Sequence, residues 1–545
     1  MACTEGSTPP APPPAPPLVT PPPVTPPTDA TPPSLSQRFP DQNAPAVAPD
    51  TAIRAEFSED LASASIAGNA SLKRVRDDEV IPSQPVLNGH ILELSHPELD
   101  LRTTYEVTLG SGLTDLAGNR FAGTSWTFTT RDDAWRDGVQ IRDGFGQGSP
   151  QLAMNAAGRA IAVWPEFANN QSKLWANWYD PVAGWRGAEP LASLGAQNFS
   201  SDIHVTLDLQ GNAMVIWGQS APGAGARSDL ESSHSTGDGI WTKPQSFESE
   251  ETYNAVNPDL AGDSRGNVVA VWAQGDGKRA NIWANSYAVA SGWGSPQLLE
   301  SNDLGTANFP KVAMDEHGNA HVVWVQSEGT FGIDDSIWGN LRRAGGNWDA
   351  AFALEQEKPE ANNPRIAVNA NGDAVVIWNQ IEMIGNQGQS HAWTNRYTPA
   401  GQWGRAKAIN IQGANASYGR SIALDAKGNA VVVWLQQTGT APPEVWANRD
   451  ILGAGWETPK QLSKANGIRV GEVQVAVDSE GNGLALWSQN NSDLYASRYL
   501  SGGWSQGGAI VDGYLGGAQI AFDARGCALS VFTKTGPTIW AKEFR

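Results

Sequence analysis

Cysteine is almost missing from this chain of 545 residues, and its two copies, Cys3 and Cys527, lie near opposite ends. That leaves neither a disulfide framework nor the paired spacing of a zinc site. Cys527 occupies a repeat position held elsewhere mostly by Asn or Asp, so it reads as a plain buried thiol. Charge is sparse as well: Asp, Glu, Lys and Arg make up 17% of the residues, and the formal net charge is -20. Lys and Arg form no long runs, so a polyanion such as nucleic acid meets net repulsion and is excluded as a partner. Seven histidines are scattered, and His317 and His321 straddle a hairpin turn rather than one helix face, which argues against a metal centre. No apolar run approaches the ~20 residues that a membrane-crossing helix needs. Phosphate loops and nucleophilic triads are missing too. What the chain has in quantity is glycine, with 58 residues, and tryptophan, with 23. Such a composition suits short strands joined by tight turns. At this length, several units or a repeat array are expected.

Residues 1–40 form a proline-rich tether that cannot bury a core and is expected to be disordered, favouring extended polyproline II. At ~3 Å per residue it makes a semi-rigid stalk of up to about 100 Å. The chain starts Met1-Ala2-Cys3-Thr4-Glu5-Gly6. This resembles the mature end of bacterial lipoproteins, which are cut before a cysteine that follows a small residue. The resemblance implies Cys3 as a lipid anchor behind a trimmed signal peptide. Because Thr4 rather than Asp follows, it also implies the outer membrane or an extracellular position. An incidental cysteine in a tail is the alternative.

Residues 41–131 alternate as strands do, for example in Ala52-Ile53-Arg54-Ala55-Glu56-Phe57 and Trp126-Thr127-Phe128-Thr129-Thr130. Turn signals such as Asn88-Gly89 and Gly118-Asn119 separate the strands, and the size is that of a β-sandwich. Phe57-Ser58-Glu59, the stretch Leu101 to Tyr105, Thr114-Asp115-Leu116-Ala117-Gly118-Asn119 and Phe128-Thr129-Thr130 resemble the bacterial Ig-like domain named after S-layer proteins. That resemblance implies a spacer. Asp115 and Asn119 suggest either a calcium loop or a turn bonded to its own backbone, and the turn is preferred.

Residues 132–545 repeat with a period of about 54 residues. A turn of the form Asp/Asn-x-x-Gly has its glycine at 158, 211, 266, 318, 372, 428, 481 and 526, and an aromatic follows six residues later: Trp164, Trp217, Trp272, Trp324, Trp378, Trp434, Trp487 and Phe532. Small and β-branched residues lie between, as in a buried strand entered through a tight hairpin. A second Trp series (175, 283, 338, 393, 446, 540) and a third (185, 241, 293, 348, 403, 456, 504) mark two further strands. Four strands per repeat predict a β-propeller. The last repeat ends one strand short, and a spare strand sits upstream near 135–141. Supplying it to the last blade gives eight complete blades and leaves no exposed edge. The expected fold is therefore all-β: an Ig-like β-sandwich, then an eight-bladed propeller closed by an N-terminal strand.

A Trp recurring at one strand position in nearly every blade is placed there by packing between blades rather than for stacking on sugars. Two residues further on stand Gln219, Gln274, Gln326, Gln380, Gln436 and Gln489, with Glu166 and Lys534 in the other two blades. This ring of amides either binds a glycan or bridges neighbouring blades, and bridging is preferred. The loops after the first Trp strand vary in length, with long excursions at 219–229, 326–336 and 380–391. Variable loops on a rigid scaffold commonly carry binding residues. Candidates there are Asp334, Asp335, Glu382, Asn386, His391, Glu248, Glu250 and Glu251.

Propellers include sialidases, but the Asp turns here resemble the sialidase Asp-box only loosely. Arg365 and Arg420 sit at similar repeat positions without an obvious third arginine. The sequence therefore favours a non-catalytic surface protein whose propeller face binds a glycan or an envelope protein, with the Ig-like unit as spacer. A structural scaffold or adhesin, and then a sialidase-like glycoside hydrolase, are the alternatives. No cofactor is expected, with calcium left open. A monomer is expected, touching a membrane only through the lipid anchor.

Overall fold

The computed structural model describes residues 29–545 except 98, 101–102, 131–133, 144–147, 169–170, 196–197, 221–226, 238, 249–252, 301–304, 328, 330–333, 356–359, 385–386, 411–414, 464–468, 491 and 501–502. Cys3, most of the tether, Asn386, Glu250 and Glu251 lie outside the described residues. The structure is all-β, with a single 3-10 turn at Ser63–Ser65 and no α-helix among the described residues. None of its elements is a helix long and apolar enough to cross a membrane. The chain divides into two compact units, Met1–Arg131 and Asp132–Arg545.

The first unit is a sandwich of two sheets. One orders the strands Leu35–Phe39, Ile53–Phe57, Ile91–Ser95 and Gln84–Asn88; the other orders Ala44–Val47, Thr124–Thr130, Thr104–Leu109, Ala70–Arg74 and Glu79–Ile81. Alternation along each strand sends Ile53, Phe57, Leu72, Leu92, Leu94, Tyr105, Val107, Trp126 and Phe128 into one core. The unit begins earlier than the expected boundary at residue 41. Ser34 to Phe39 is the first stretch after the proline tract free to pair, and Leu35–Phe39 pairs antiparallel with Ile53–Phe57. Asp115 has the turn-locking role preferred from sequence: its carboxylate accepts Asn119 N (2.8 Å) and Asn119 Nδ2 (2.7 Å).

The second unit is a β-propeller, with eight sheets among the described residues, numbered 1–8 in chain order. Their innermost strands are Gln151–Met154, Asn198–Leu207, Ala255–Gly262, Ala307–Met314, Ala361–Val368, Asn415–Leu424, Val470–Val477 and Tyr514–Phe522. Each innermost strand contacts the next, and that of sheet 8 contacts that of sheet 1. The spare upstream strand does what the repeat arithmetic anticipated. Val139–Arg142 pairs antiparallel with Thr538–Phe544, and Trp135 bridges to Phe544, so sheet 8 is built from both ends of the array.

Packing explains the first aromatic series. Each member is at most 1% exposed. Trp217 of sheet 2 packs with Ile161 and Val163 of sheet 1, Trp324 of sheet 4 with Val269 and Val271 of sheet 3, and Trp164 of sheet 1 with Leu529 and Val531 of sheet 8. The second series pairs with the first across strands, as in Trp324 with Trp338 and Trp434 with Trp446. The turns on the opposite face interlock as well. Gly481 has φ 86°, and a Cβ there would stand 2.5 Å from Oδ2 of Asp425 in the preceding sheet's turn; at Gly158 it would stand 2.9 Å from Asp523 Oδ2. Only glycine meets both the left-handed backbone and the close approach.

Candidate functional site

The amide ring is internal to the sheets. The indole Nε1 of Trp217, Trp272, Trp324, Trp378, Trp434 and Trp487 donates to Oε1 of Gln219, Gln274, Gln326, Gln380, Gln436 and Gln489 at 2.9–3.2 Å. All but Gln219 are buried. A buried indole N–H needs an acceptor, and strand alternation puts residue i+2 beside it. The amide oxygens therefore hold their own sheet's Trp, while Gln274 Nε2 also reaches Glu248 in the final segment of the preceding repeat, the kind of bridge that sequence alone preferred over a glycan contact. Bridging is shared by the Asn that stands two residues after the second-series Trp, at 177, 285, 340 and 395, which sequence reasoning passed over. Asn285 Nδ2 donates to Phe247 O (2.8 Å), Asn340 Nδ2 to Leu299 O (3.0 Å) and Asn395 Nδ2 to Leu354 O (3.0 Å), each reaching the final segment of the preceding repeat. Asn177 Nδ2 reaches Ile141 O (3.3 Å) and ties sheet 1 to the closing strand.

The other candidates are dispersed. Asp334 is exposed in a bend, and Asp335 is buried at the start of its strand. Half-buried Glu382 lies 4.0 Å from the Nε2 of buried His391, whose Nδ1 faces the Asn410 amide. Glu248 accepts Leu230 N (3.1 Å) and Gln274 Nε2 (2.8 Å), and burial pushes its carboxyl up to about 7. Only one acidic trio among the described residues lies close enough to share an ion: Asp29, Glu59 and Asp115 in the Ig-like unit, with ligand atoms within 4.8 Å. Asp115 is already taken by Asn119.

A different place draws functional side chains together. On the axis-facing side of the ring, a cavity of about 460 Å³ is lined by Asn363, Arg365, Ile366, Gly419, Arg420, Ser421, Ile422, Val473 and Gln474, from the innermost strands of the adjacent sheets 5, 6 and 7. The sequence signal for it is the same glycine anchor. Seven residues ahead of each turn glycine stand Gln151, His204, Asp259, Lys311, Arg365, Ser421, Gln474 and Gln519.

Most of these innermost strands are bulged at one level. Nine residues ahead of the glycine, Asn257, Phe309, Asn363, Gly419, Glu472 and Gly517 all have positive φ, from 42° to 70°. Four of the six are not glycine, so the backbone there is held against its own preference. In sheet 6, as in sheet 2, the bulge is larger: the step from Ala416 to Arg420 is matched by only the step from Gln436 to Trp434 on the partner strand. This brings Arg420 to the cavity beside Arg365.

Electrostatics divide this arc. His204 Nδ1 lies 3.1 Å from Asp259 Oδ1, and Lys311 Nζ lies 3.7 Å from the same oxygen. Burial holds the His204 imidazole below the ordinary histidine range, against the pull of Asp259. Arg365 opens to the cavity yet is enclosed by protein, which lowers its pKa, with Asp259 opposing. Arg420 is 7% exposed; burial first, and then the Arg365 charge, bring it down to about 9, so it stays cationic at neutral pH. Glu472 is engaged by the Tyr514 hydroxyl and by Gly517 N (3.1 Å).

Residues 29–130 match the model of the bacterial Ig-like domain. No curated protein compared with the chain matches it. Among solved structures, an ulvan lyase (a polysaccharide lyase) is similar over 74% of this chain and 95% of its own, with 12% identity and a TM-score of 0.44. A protein of unknown function from Dyadobacter fermentans covers 55% of this chain and 96% of its own at 11% identity and a TM-score of 0.35. A Hadza microbial sialidase covers 82% and 98% at 10% identity and a TM-score of 0.33. None of these likenesses reaches the level at which a ligand, a residue or an activity passes to this chain.

Proposed function

We propose that this protein is a surface binding protein whose propeller takes a glycan in the axial cavity, with the Ig-like unit as spacer. One observation carries the reading: the cavity collects Asn363, Ser421, Gln474 and two arginines from three sheets of a rigid ring, with Ile366, Ile422 and Val473 between them. Neutral amides and a hydroxyl suit sugar hydroxyls, and the aliphatic side chains suit the apolar faces of a sugar ring. A surface position, with Cys3 as a lipid anchor at the outer membrane, belongs to the same proposal.

A glycan array probed with the full chain, with and without calcium, tests it. Reproducible hits should be lost in Gln474→Trp, which narrows the cavity, while the melting temperature of the variant stays near that of the parent. An array without hits overturns the glycan reading. Hits that survive Gln474→Trp and vanish when loops 326–336 or 380–391 are shortened move the site to the variable loops.

A further inference from the structure

Arg420 is the most unusual charge in the second unit. Its Nη1 donates to the Asn363 carbonyl (3.0 Å), while Nε and Nη2, both buried, have no hydrogen-bond partner among the described residues. The charge acting on it is another cation, Arg365. Asp259, the acid of the arc, is occupied by His204 and Lys311 and bears on Arg365 rather than on Arg420. Arg365 meets its own neighbour's carbonyl, Pro364 O, at 3.0 Å. Two guanidinium groups therefore line one cavity with donors to spare, and among the described residues no carboxylate pairs with Arg420.

A buried cation without a partner destabilises the fold that holds it. An arginine does not escape by losing its proton at neutral pH. The bulge that delivers Arg420 holds backbone in the left-handed region, at Gly419 (φ 70°) and at the neighbouring Asn363 (φ 54°). A buried cation with unused donors and an open cavity coincide at one place, as they do where a site is arranged ahead of its ligand. Arginine forks match carboxylate and sulfate oxygens in two-point contacts. The neutral Asn363, Ser421 and Gln474 beside them suit hydroxyls rather than a second charge.

We infer that the axial cavity binds the anionic group of an acidic sugar, a carboxylate or a sulfate ester, between Arg420 and Arg365; this rests on the glycan reading above. The net charge of -20 repels polyanions at long range, so the ligand is a short acidic saccharide or the end of one.

Calorimetric titration of the full chain with a galacturonate oligosaccharide, its methyl ester and a sulfated galactose oligosaccharide tests this, run in parallel on Arg420→Met and Arg365→Gln. An acidic probe should bind about tenfold or more tightly than the neutral ester, and Arg420→Met should lose that margin. The carboxylate and sulfate arms tell which anion is preferred. Arg420→Met should also raise the melting temperature of the unliganded chain, because it removes an unpaired charge; a purely structural Arg420 would lower it. If ester and acid bind alike and Arg420→Met changes neither, the anion assignment fails while the glycan reading stands. If no saccharide binds, yet free sulfate stabilises the parent and not Arg420→Met, the anion site stands and the glycan reading fails. If neither sulfate nor any acidic saccharide binds, the inference is overturned.

Discussion

The residues that look most like a ligand site in the sequence are the ones the fold uses for itself. Gln326 is 0% exposed, and its Oε1 accepts the Trp324 indole at 3.1 Å. Gln326→Ala leaves that buried N–H unpaired and should cost about 1–3 kcal/mol, read as a lower melting temperature with glycan binding intact. A pair of glycines isolates the effect of close approach. Gly453→Ala (φ 83°, open surroundings) should lose only the ~1–2 kcal/mol of a left-handed alanine. Gly481→Ala adds the 2.5 Å contact with Asp425 and should melt several degrees lower than Gly453→Ala. The turn glycines and the Trp series were legible because packing repeats them in register. The partner of each Gln was not, since period 2 shows that the amide shares a face with the Trp but not which hydrogen bond it makes. Arg365 and Arg420 were visible as a pair at nearly the same repeat position. That they share a cavity depends on a bulge, which leaves no mark in the sequence beyond one residue of offset.

Strands and the links between them carry the pH dependence. The Glu248 carboxyl, which holds the Leu230 N–H beside Gln274, is raised from 4.5 to about 7 by burial. A carboxyl with a raised folded-state pKa contributes stability that is fully present below pH 4.5 and is lost as pH rises through 7. Glu248→Gln does not titrate. Relative to the parent, its melting temperature should therefore climb between pH 4.5 and 7 and level off above; a flat difference across that range contradicts the shift. The Asn bridges work at the same scale. Asn340→Ala should weaken the link between sheets 3 and 4 by about 1–3 kcal/mol, measurable by thermal unfolding, because it frees Leu299 O in a buried setting. The strands that these side chains join were readable from alternation and turn spacing. The start of the Ig-like unit was set too late because Leu35–Phe39 abuts the proline tract, whose composition masks a short edge strand.

At the scale of the molecule, the array is a ring because its ends meet in one sheet. Deleting residues 132–147 removes the Val139–Arg142 strand and exposes the edge of Thr538–Phe544. The propeller should then unfold at a much lower temperature, and unchanged unfolding would contradict closure by this strand. That architecture followed from counting repeats, whereas the cavity proposed here as the site did not. Variable loop length pointed to the rim, while the cavity lies against the innermost strands, where side chains from three successive repeats meet. Hydrogen–deuterium exchange of the full chain, with and without the strongest ligand from the glycan array, decides between these places most directly. Protection is predicted at residues 361–366, 419–422 and 473–474. Protection confined to loops 326–336 and 380–391, or to residues 29–130, would contradict an axial binding site.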